Sequence, residues 1–130
     1  MEERMISYLD TNVVFRLAAG DLEQISDAAK RRIEASDLLI SPAVLLELEM
    51  LHEIGRLAIA AVEILADLTQ KIGLNVCQLP MSAIVASALE IKWTREPGDR
   101  LIVANAIANN EAPLISSDRI IRKNYANTIW

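Results

Sequence analysis

Short apolar runs alternate along the chain with longer segments of helical periodicity, and small or polar residues separate them. The apolar runs that predict strands are residues 5–9, 38–40, 75–79, 113–115 and 128–130. The segments that predict helices are 11–19, 26–35, 42–54, 57–72, 80–93 and 99–110, with a polar turn or short helix at 119–124. Short strands that alternate with helices are typical of a parallel sheet with helices on both faces. The pattern therefore predicts an α/β fold with a parallel sheet of four to five short strands.

Several predicted boundaries have a physical basis in the residues themselves. Ser41 can cap the helix that follows it, and Pro42 suits the first helical position. Gly20 and Gly73 follow the ends of two apolar helical segments, where glycine readily ends a helix. Right-handed crossovers limit the strand order to candidates such as 2-1-3-4-5 and 3-2-1-4-5. The pattern of apolar residues does not by itself choose between these two orders.

Length and composition narrow the class of protein. A chain of 130 residues predicts one domain over residues 1–130. No apolar run reaches the roughly 18 residues that a membrane span needs, and the N-terminus lacks the pattern of a signal peptide, so we expect a cytoplasmic protein with no membrane contact. The single cysteine, Cys77, permits neither an internal disulfide nor a cysteine zinc cluster. A net charge of −5 argues against a plain nucleic-acid-binding module, which is normally basic.

Two acids come directly after predicted strands. Asp10 follows the first strand, and Asp118 follows the fourth in the segment PLISSD. In open parallel sheets, functional groups gather at the carboxyl ends of the strands, near the point where the strand order switches. In the order 3-2-1-4-5 the first and fourth strands are neighbours, which would place Asp10 beside Asp118. That order is the one we predict.

Two further acids can reach the same edge of the sheet. Glu47 lies in the second turn of the helix after strand two, in the otherwise apolar segment AVLLELEML, and Asp99 begins a buried helix. Each acid alone has a structural explanation, as a helix cap, a turn former or an exposed helical residue. Four carboxylates packed at one edge, however, repel one another unless a cation lies between them. Oxygen ligands favour Mg²⁺ or Mn²⁺, and such ions promote attack of water on a phosphodiester.

These segments resemble those of PIN-domain ribonucleases, and most closely the VapC toxins of toxin–antitoxin pairs. The matching segments are YLDTNVVF, ISPAVLLELEML and REPGDRLIVANAIANNEAPLISSD, in that order. Many relatives have a phenylalanine where this chain has Gly98, but Asp99 keeps its register with RLIVA. The resemblance implies a three-layer α/β/α sandwich and an Mg²⁺- or Mn²⁺-dependent endoribonuclease. It also implies a homodimer and a separate antitoxin protein that blocks the acids.

The resemblance assigns roles to individual residues. The four catalytic acids of the family correspond to Asp10, Glu47, Asp99 and Asp118. We expect Asp10, Asp99 and Asp118 to be metal ligands, and Glu47 to bind the metal through water or to help deprotonate the nucleophile. Asn12 and Ser116 correspond to the polar residues that support the site. Cleavage is expected to leave a 3′-hydroxyl and a 5′-phosphate.

Basic residues near the third and fourth acids are candidates for contact with the phosphates of RNA. They are Arg100, Arg119, Arg122 and Lys123. The competing explanation for each of them is that it is a solvated residue on a helix face or that it pairs with an acid. Because no aromatic cluster suits base stacking, we infer no sequence preference from the chain.

Other functions remain possible at this point. A receiver domain or a haloacid-dehalogenase-type phosphatase has a related fold, but Asn12 stands where such a phosphatase needs a second aspartate, and no lysine fits the receiver pattern. A PIN nuclease that processes RNA outside a toxin–antitoxin pair fits the same residues. A non-catalytic interaction module would leave the four acids scattered over the fold.

Overall fold

The strands of the fold form one parallel sheet in the computed structural model, which describes residues 4–130. The strands are β1 (Met5–Leu9), β2 (Ser36–Ile40), β3 (Asn75–Val76), β4 (Leu114–Ile115) and β5 (Thr128–Ile129). Their order is β3-β2-β1-β4-β5, and each neighbouring pair is parallel. The predicted order 3-2-1-4-5 is therefore confirmed, with β1 and β4 side by side at the centre of the sheet.

Seven helices flank this sheet within the described part of the chain, as the predicted α/β/α sandwich requires. They are α1 (Thr11–Ala19), α2 (Asp27–Ala35), α3 (Pro42–Glu53), α4 (Ala61–Ile72), α5 (Met81–Ala88), α6 (Pro97–Ala108) and α7 (Arg119–Asn124), and a 3₁₀ turn covers Leu22–Gln24. Gly20 and Gly73 end α1 and α4 with φ angles of 73° and 72°, a conformation that glycine adopts without a steric penalty. No helix among residues 4–130 is both long enough and apolar enough to cross a membrane.

The central strands are the most buried part of the fold. Leu9, Leu114 and Ile115 have no solvent-exposed surface, because helices cover both faces of β1 and β4. The side chains of the predicted helical stripe in α4, such as Ile64 and Leu68, also belong to this core. The rigid centre of the sheet is thus directly beneath the carboxyl ends of β1 and β4.

A buried polar network joins α6 to the sheet. The hydroxyl of Tyr8 on β1 donates to Cys77 Sγ at 3.1 Å, and the Asn109 amide donates to the same hydroxyl at 2.8 Å. Asn105 Nδ2 donates to Cys77 Sγ at 3.0 Å and to Tyr8 Oη at 3.2 Å. Burial raises the pKa of Tyr8 well above its ordinary value, so this hydroxyl keeps its proton. These contacts fix the position of α6, the helix that carries Asp99.

Several element bounds differ from the sequence prediction. Strand β2 begins at Ser36 rather than at residue 38, because Ser36 pairs with Met5 and its hydroxyl lies 2.8 Å from the Ser7 hydroxyl. Helix α4 begins at Ala61 rather than at residue 57, since Glu49 of α3 accepts a hydrogen bond from the Ala61 amide. Side-chain contacts between distant segments set both boundaries, and apolar periodicity does not reveal such contacts.

Two other predicted segments are shorter than expected. Helix α5 ends at Ala88 instead of residue 93, and the Ala88 carbonyl accepts a hydrogen bond from Arg100. Strand β3 contains just two residues of the predicted 75–79 run, because it pairs with the last two residues of β2. Helix α6 begins two residues earlier than predicted, at Pro97.

Candidate active site

A pocket of about 350 Å³ opens at the carboxyl edge of β1 and β4. Its lining residues are Asp10, Thr11, Asn12, Phe15, Arg16, Glu47, Leu51, Arg56, Asp99 and Asp118. The four acids that the sequence predicts are all among them. They come from the end of β1, from α3, from the first turn of α6 and from the segment after β4. The fold therefore brings together four carboxylates that are far apart in sequence.

Asp10 is the most enclosed of these acids, with 4% of its surface exposed. It is the N-cap of α1, where its Oδ1 accepts a hydrogen bond from the Thr11 amide at 2.8 Å. Its Oδ2 accepts hydrogen bonds from Ser116 Oγ at 2.6 Å and from Asn12 Nδ2 at 3.1 Å. Burial raises the pKa of Asp10, these hydrogen bonds lower it, and the Asp118 carboxylate adds to the increase. The net direction is upward, because burial has the largest effect.

Asp118 is linked to Asp10 through Ser116. The buried Ser116 hydroxyl donates to Asp10 and accepts a hydrogen bond from the Asp118 amide at 3.1 Å. Asp118 also caps α7, since its Oδ1 accepts from the amides of Ile120 and Ile121 at 2.9 and 3.0 Å. Its Oδ2 accepts no hydrogen bond from residues 4–130, so one oxygen anchors the side chain and the other remains available to a ligand.

Glu47 extends from the middle of α3 toward the same pocket. Its Oε1 accepts a hydrogen bond from the Thr11 hydroxyl, and Thr11 directly follows Asp10. Burial raises the pKa of Glu47, and the carboxylates of Asp10 and Glu96 raise it further. A glutamate with a raised pKa protonates more easily near neutral pH than an exposed one.

Asp99 lies in the first turn of α6 and its carboxylate accepts no hydrogen bond from the described residues. Glu96 caps this helix by accepting hydrogen bonds from the Gly98 and Asp99 amides, at 3.2 and 2.6 Å. The pKa of Asp99 is raised to about 7, first by burial and then by the carboxylate of Glu96. The charges of Asp10, Asp118 and Glu47 act in the same direction. The other three predicted acids thus all interact electrostatically with Asp99.

Residues 7–127 match the family model of the PIN domain. The chain belongs to the PIN-domain family. PIN domains are generally nucleases, so the family membership indicates a hydrolase that acts on nucleic acid. No curated protein matches the chain.

Solved structures also share the fold of this PIN domain. One is VapBC2 from Rickettsia felis bound to a DNA fragment from the promoter, with 19% identity and a TM-score of 0.63 over 95% of this chain and 96% of that one. Another is VapBC-1 from nontypeable Haemophilus influenzae, with 19% identity and a TM-score of 0.58 over 92% of this chain and 94% of that one. At this identity the likeness concerns the fold.

The donor atoms around the pocket fit a hard divalent cation. They are carboxylate and hydroxyl oxygens, and the pocket lining contains neither histidine nor cysteine. Among residues 4–130, no three His, Cys, Asp or Glu side chains lie close enough together, in the conformations they adopt, to hold an ion. The raised pKa values of Asp10, Glu47 and Asp99 nevertheless describe carboxylates that a nearby positive charge would stabilise. Among the predicted metal ligands, Asp10 and Asp118 are anchored by hydrogen bonds, whereas Asp99 is not.

The predicted RNA-contacting residues lie outside this pocket. Arg119, Arg122 and Lys123 line a shallow neighbouring depression of about 450 Å³, together with Thr128 and Trp130. Arg100 points elsewhere, because its guanidinium donates to the Ala88 carbonyl at 2.8 Å. The first three are thus close to Asp118 in the chain and exposed, while Arg100 is occupied in joining α6 to α5.

Sequence reasoning missed three charged residues near the acids. Glu96 was visible in REPGDR, but its effect on Asp99 depends on the cap geometry of α6. Arg16 is one helical turn beyond Asn12 on α1, a spacing that could have indicated the pocket. Arg56 comes from the loop after α3 and carries no such signal. The guanidinium groups of Arg16 and Arg56 lie over the rings of Trp130 and Phe15, at 5.8 and 5.7 Å from the ring centres.

Proposed function

We propose that this PIN domain is an Mg²⁺- or Mn²⁺-dependent endoribonuclease, and that it is the VapC-type toxin of a toxin–antitoxin pair. The observation that carries the proposal is the shared pocket of Asp10, Glu47, Asp99 and Asp118. Family membership supports nuclease activity, and the VapBC neighbours support the toxin assignment. The nuclease domain is proposed to extend over residues 1–130.

Different residues of the pocket have different proposed roles in hydrolysis. Asp10, Asp99 and Asp118 would hold the cation, which supplies a Lewis acid and lowers the pKa of water when bound. Ser116 and Asn12 orient the Asp10 carboxylate through their hydrogen bonds. Glu47 Oε2, the oxygen that does not bond to Thr11, is suited to accept a proton from the attacking water, because burial raises the pKa of this carboxylate above its ordinary value and makes it a stronger base.

The exposed cations beside Asp118 are proposed to hold the phosphates of the RNA. Arg119, Arg122 and Lys123 form no salt bridge with any acid in the described chain. In a protein of net charge −5, they provide a local region of positive charge next to the acidic pocket. Arg16 lines the acidic pocket and its guanidinium stacks on Trp130, so it connects the two depressions.

A protein partner is also part of the proposal. We propose that a separate antitoxin covers the acids and that the toxin forms a homodimer in the cytoplasm. An apolar depression of about 260 Å³ between α3, α5 and α6 supports an interface, since Leu46 and Met81 in its lining are 64 and 56% exposed.

A cleavage assay with an inactive variant tests the proposed function. Purified protein is incubated with a labelled oligoribonucleotide in Mg²⁺, in Mn²⁺ and in a chelator. We expect cleavage in both metals, none in the chelator, and a loss of about 100- to 1,000-fold in Asp10→Asn, the cost of removing one principal electrostatic group. Asp21→Asn, at an exposed site outside the pocket, is the matched control.

Two results would contradict the proposal. Cleavage that survives in Asp10→Asn, or that does not depend on metal, would exclude the four-acid mechanism. The toxin assignment is tested separately, by inducing the protein in growing bacteria. Growth arrest that requires Asp10 supports a toxin, whereas cleavage in vitro without arrest supports an RNA-processing nuclease.

A further inference from the structure

Gly98 differs from the other glycines of the described chain in what surrounds it. Gly20, Gly55 and Gly73 have positive φ angles and no atom within 4 Å of an added Cβ. Gly98 lacks a positive φ, and a Cβ there would overlap Glu47 Oε2 and lie 3.2 Å from both Glu47 Cδ and Glu96 Oε2. The backbone at residue 98 therefore tolerates other residues, but the space beside it is already filled by the Glu47 carboxylate.

Thr11 contacts the other side of the same carboxylate. Its hydroxyl donates a hydrogen bond to Glu47 Oε1, while Oε2 lies in the space next to Gly98. Thr11 is the first residue of α1 and Gly98 is the second residue of α6, so two helix starts enclose the end of the Glu47 side chain. We call this arrangement of Thr11 and Gly98 the carboxylate slot.

We propose that the carboxylate slot positions Glu47 at the acidic pocket, and that Thr11 and Gly98 are therefore positioning residues for hydrolysis. This inference rests on the proposed function. The atom that a Cβ would overlap is at the flexible end of Glu47, so an alanine at position 98 is accommodated when Glu47 swings away and the Glu96 carboxylate yields by a few tenths of an ångström. The backbone does not need to move, and the fold should persist. An alanine at 98 thus acts on catalysis through Glu47.

A double-mutant cycle between positions 98 and 47 tests this coupling. The variants are Gly98→Ala, Glu47→Ala and the double variant, each measured for RNA cleavage and for Mn²⁺ affinity by calorimetry. We expect Glu47→Ala to lose about 100-fold or more in cleavage, as when a general base is removed, and Gly98→Ala to lose part of that activity, because its Glu47 is displaced but still present. The double variant should be no worse than Glu47→Ala, because the alanine methyl then has no carboxylate to displace.

The melting temperature distinguishes a displaced Glu47 side chain from a damaged fold. In a chelator, Gly98→Ala should melt at or above the wild-type temperature, since alanine favours the helix more than glycine does. Ser82→Ala is the matched control, at the exposed second position of α5. It should leave cleavage and Mn²⁺ affinity unchanged.

The Thr11 side of the carboxylate slot has its own pair of variants. Thr11→Val keeps the shape of the side chain and removes the hydroxyl, whereas Thr11→Ser keeps the hydroxyl. Cleavage should fall in Thr11→Val and return to near the wild-type value in Thr11→Ser, while Mn²⁺ affinity stays near the wild-type value in both, because Glu47 is not a proposed metal ligand. Equal losses in the two variants would overturn the role of the hydrogen bond.

Crystal structures of the wild type and of Gly98→Ala decide the placement of Glu47 without reference to activity. Loss of the Thr11–Glu47 hydrogen bond in Gly98→Ala supports the inference. An unmoved Glu47, wild-type cleavage by Gly98→Ala, or multiplied losses in the double variant would overturn it. If the wild type neither cleaves RNA nor binds Mn²⁺, the proposed function fails, and with it the catalytic role of the carboxylate slot, while the crystal structures still show whether Gly98 places Glu47.

Discussion

Asp10 and Asp99 line the same pocket but are held in different ways. Asp10 lies at the end of a central strand, is almost fully buried and accepts hydrogen bonds from Thr11, Asn12 and Ser116. Asp99 lies on a helix, is half-buried and accepts no hydrogen bond from residues 4–130. We call the region of Asp10, Ser116 and Asp118 the strand half of the pocket, and that of Glu47 and Asp99 the helix half.

The difference shows which part of the site the fold prepares in advance. In the strand half, hydrogen bonds fix the carboxylates before any ligand arrives. In the helix half, Thr11 donates to Glu47, whereas burial and repulsion between like charges raise the pKa of Asp99 to about 7 and no neighbouring donor compensates for them. A cation would therefore change the helix half more than the strand half.

Among the variants that test this comparison, we expect the largest loss of cleavage when a hydrogen bond of the strand half is removed. Ser116→Ala removes the hydroxyl that joins Asp10 to the Asp118 amide, and we expect cleavage to fall about 10–100-fold. Steady-state kinetics with a labelled oligoribonucleotide measures the change. Ser117→Ala, which alters the adjacent half-buried serine, is the control and should have little effect. Equal activity of the two variants would show that the strand half does not need its central hydroxyl.

The pH dependence of stability tests the charge repulsion of the helix half. The folded protein holds the Asp99 proton up to a pKa of about 7, against 3.8 for an ordinary aspartate. The stabilisation that the protonated Asp99 carboxyl gives, measured as free energy of unfolding, is therefore fully present below about pH 4 and is lost as the pH rises through 7. The amide introduced by Asp99→Asn cannot ionise, so in a chelator at pH 8 this variant should be more stable than the wild type.

We expect this difference to be about 1–2 kcal/mol, after allowance for solvent screening of a partly exposed group. Urea denaturation of both proteins at pH 4 and pH 8 measures it, and the difference should largely disappear at pH 4. Ser82→Ala, at an exposed site without an ionisable group, should change the free energy of unfolding equally at the two pH values. A variant that is less stable than the wild type at pH 8 would mean that Asp99 makes a favourable contact in the folded protein.

The smallest effect should come from the cations beside the strand half. Arg122→Gln removes one proposed phosphate contact, and we expect KM for RNA to rise about two- to fivefold with kcat unchanged. The slope of log affinity against log salt should fall by about 0.7, the value for one contact to a single strand. Lys92→Gln, at an exposed position away from this depression, is the control. Identical salt dependence in the two variants would place the RNA elsewhere.

The sequence predicted the strand half of the site better than the helix half. Asp10 and Asp118 directly follow apolar strands, so strand order alone places them together. The contact between Glu47 and Gly98 depends on how closely α3 approaches α6, a distance that no local pattern encodes. Arg100 illustrates the same limit, since its position in the chain indicated a phosphate contact, whereas its guanidinium bonds to the Ala88 carbonyl. Its proposed role in binding RNA would require that bond to break.

The two outermost strands of the sheet have a consequence for solubility. Strands β3 and β5 contain two residues each, and both lie at edges where backbone amides and carbonyls would otherwise attract another chain. An edge this short offers few hydrogen bonds to an incoming strand, so pairing between copies through the sheet is weak. The short edges therefore disfavour edge-to-edge pairing of copies of the protein, and we expect partners to approach its helices instead.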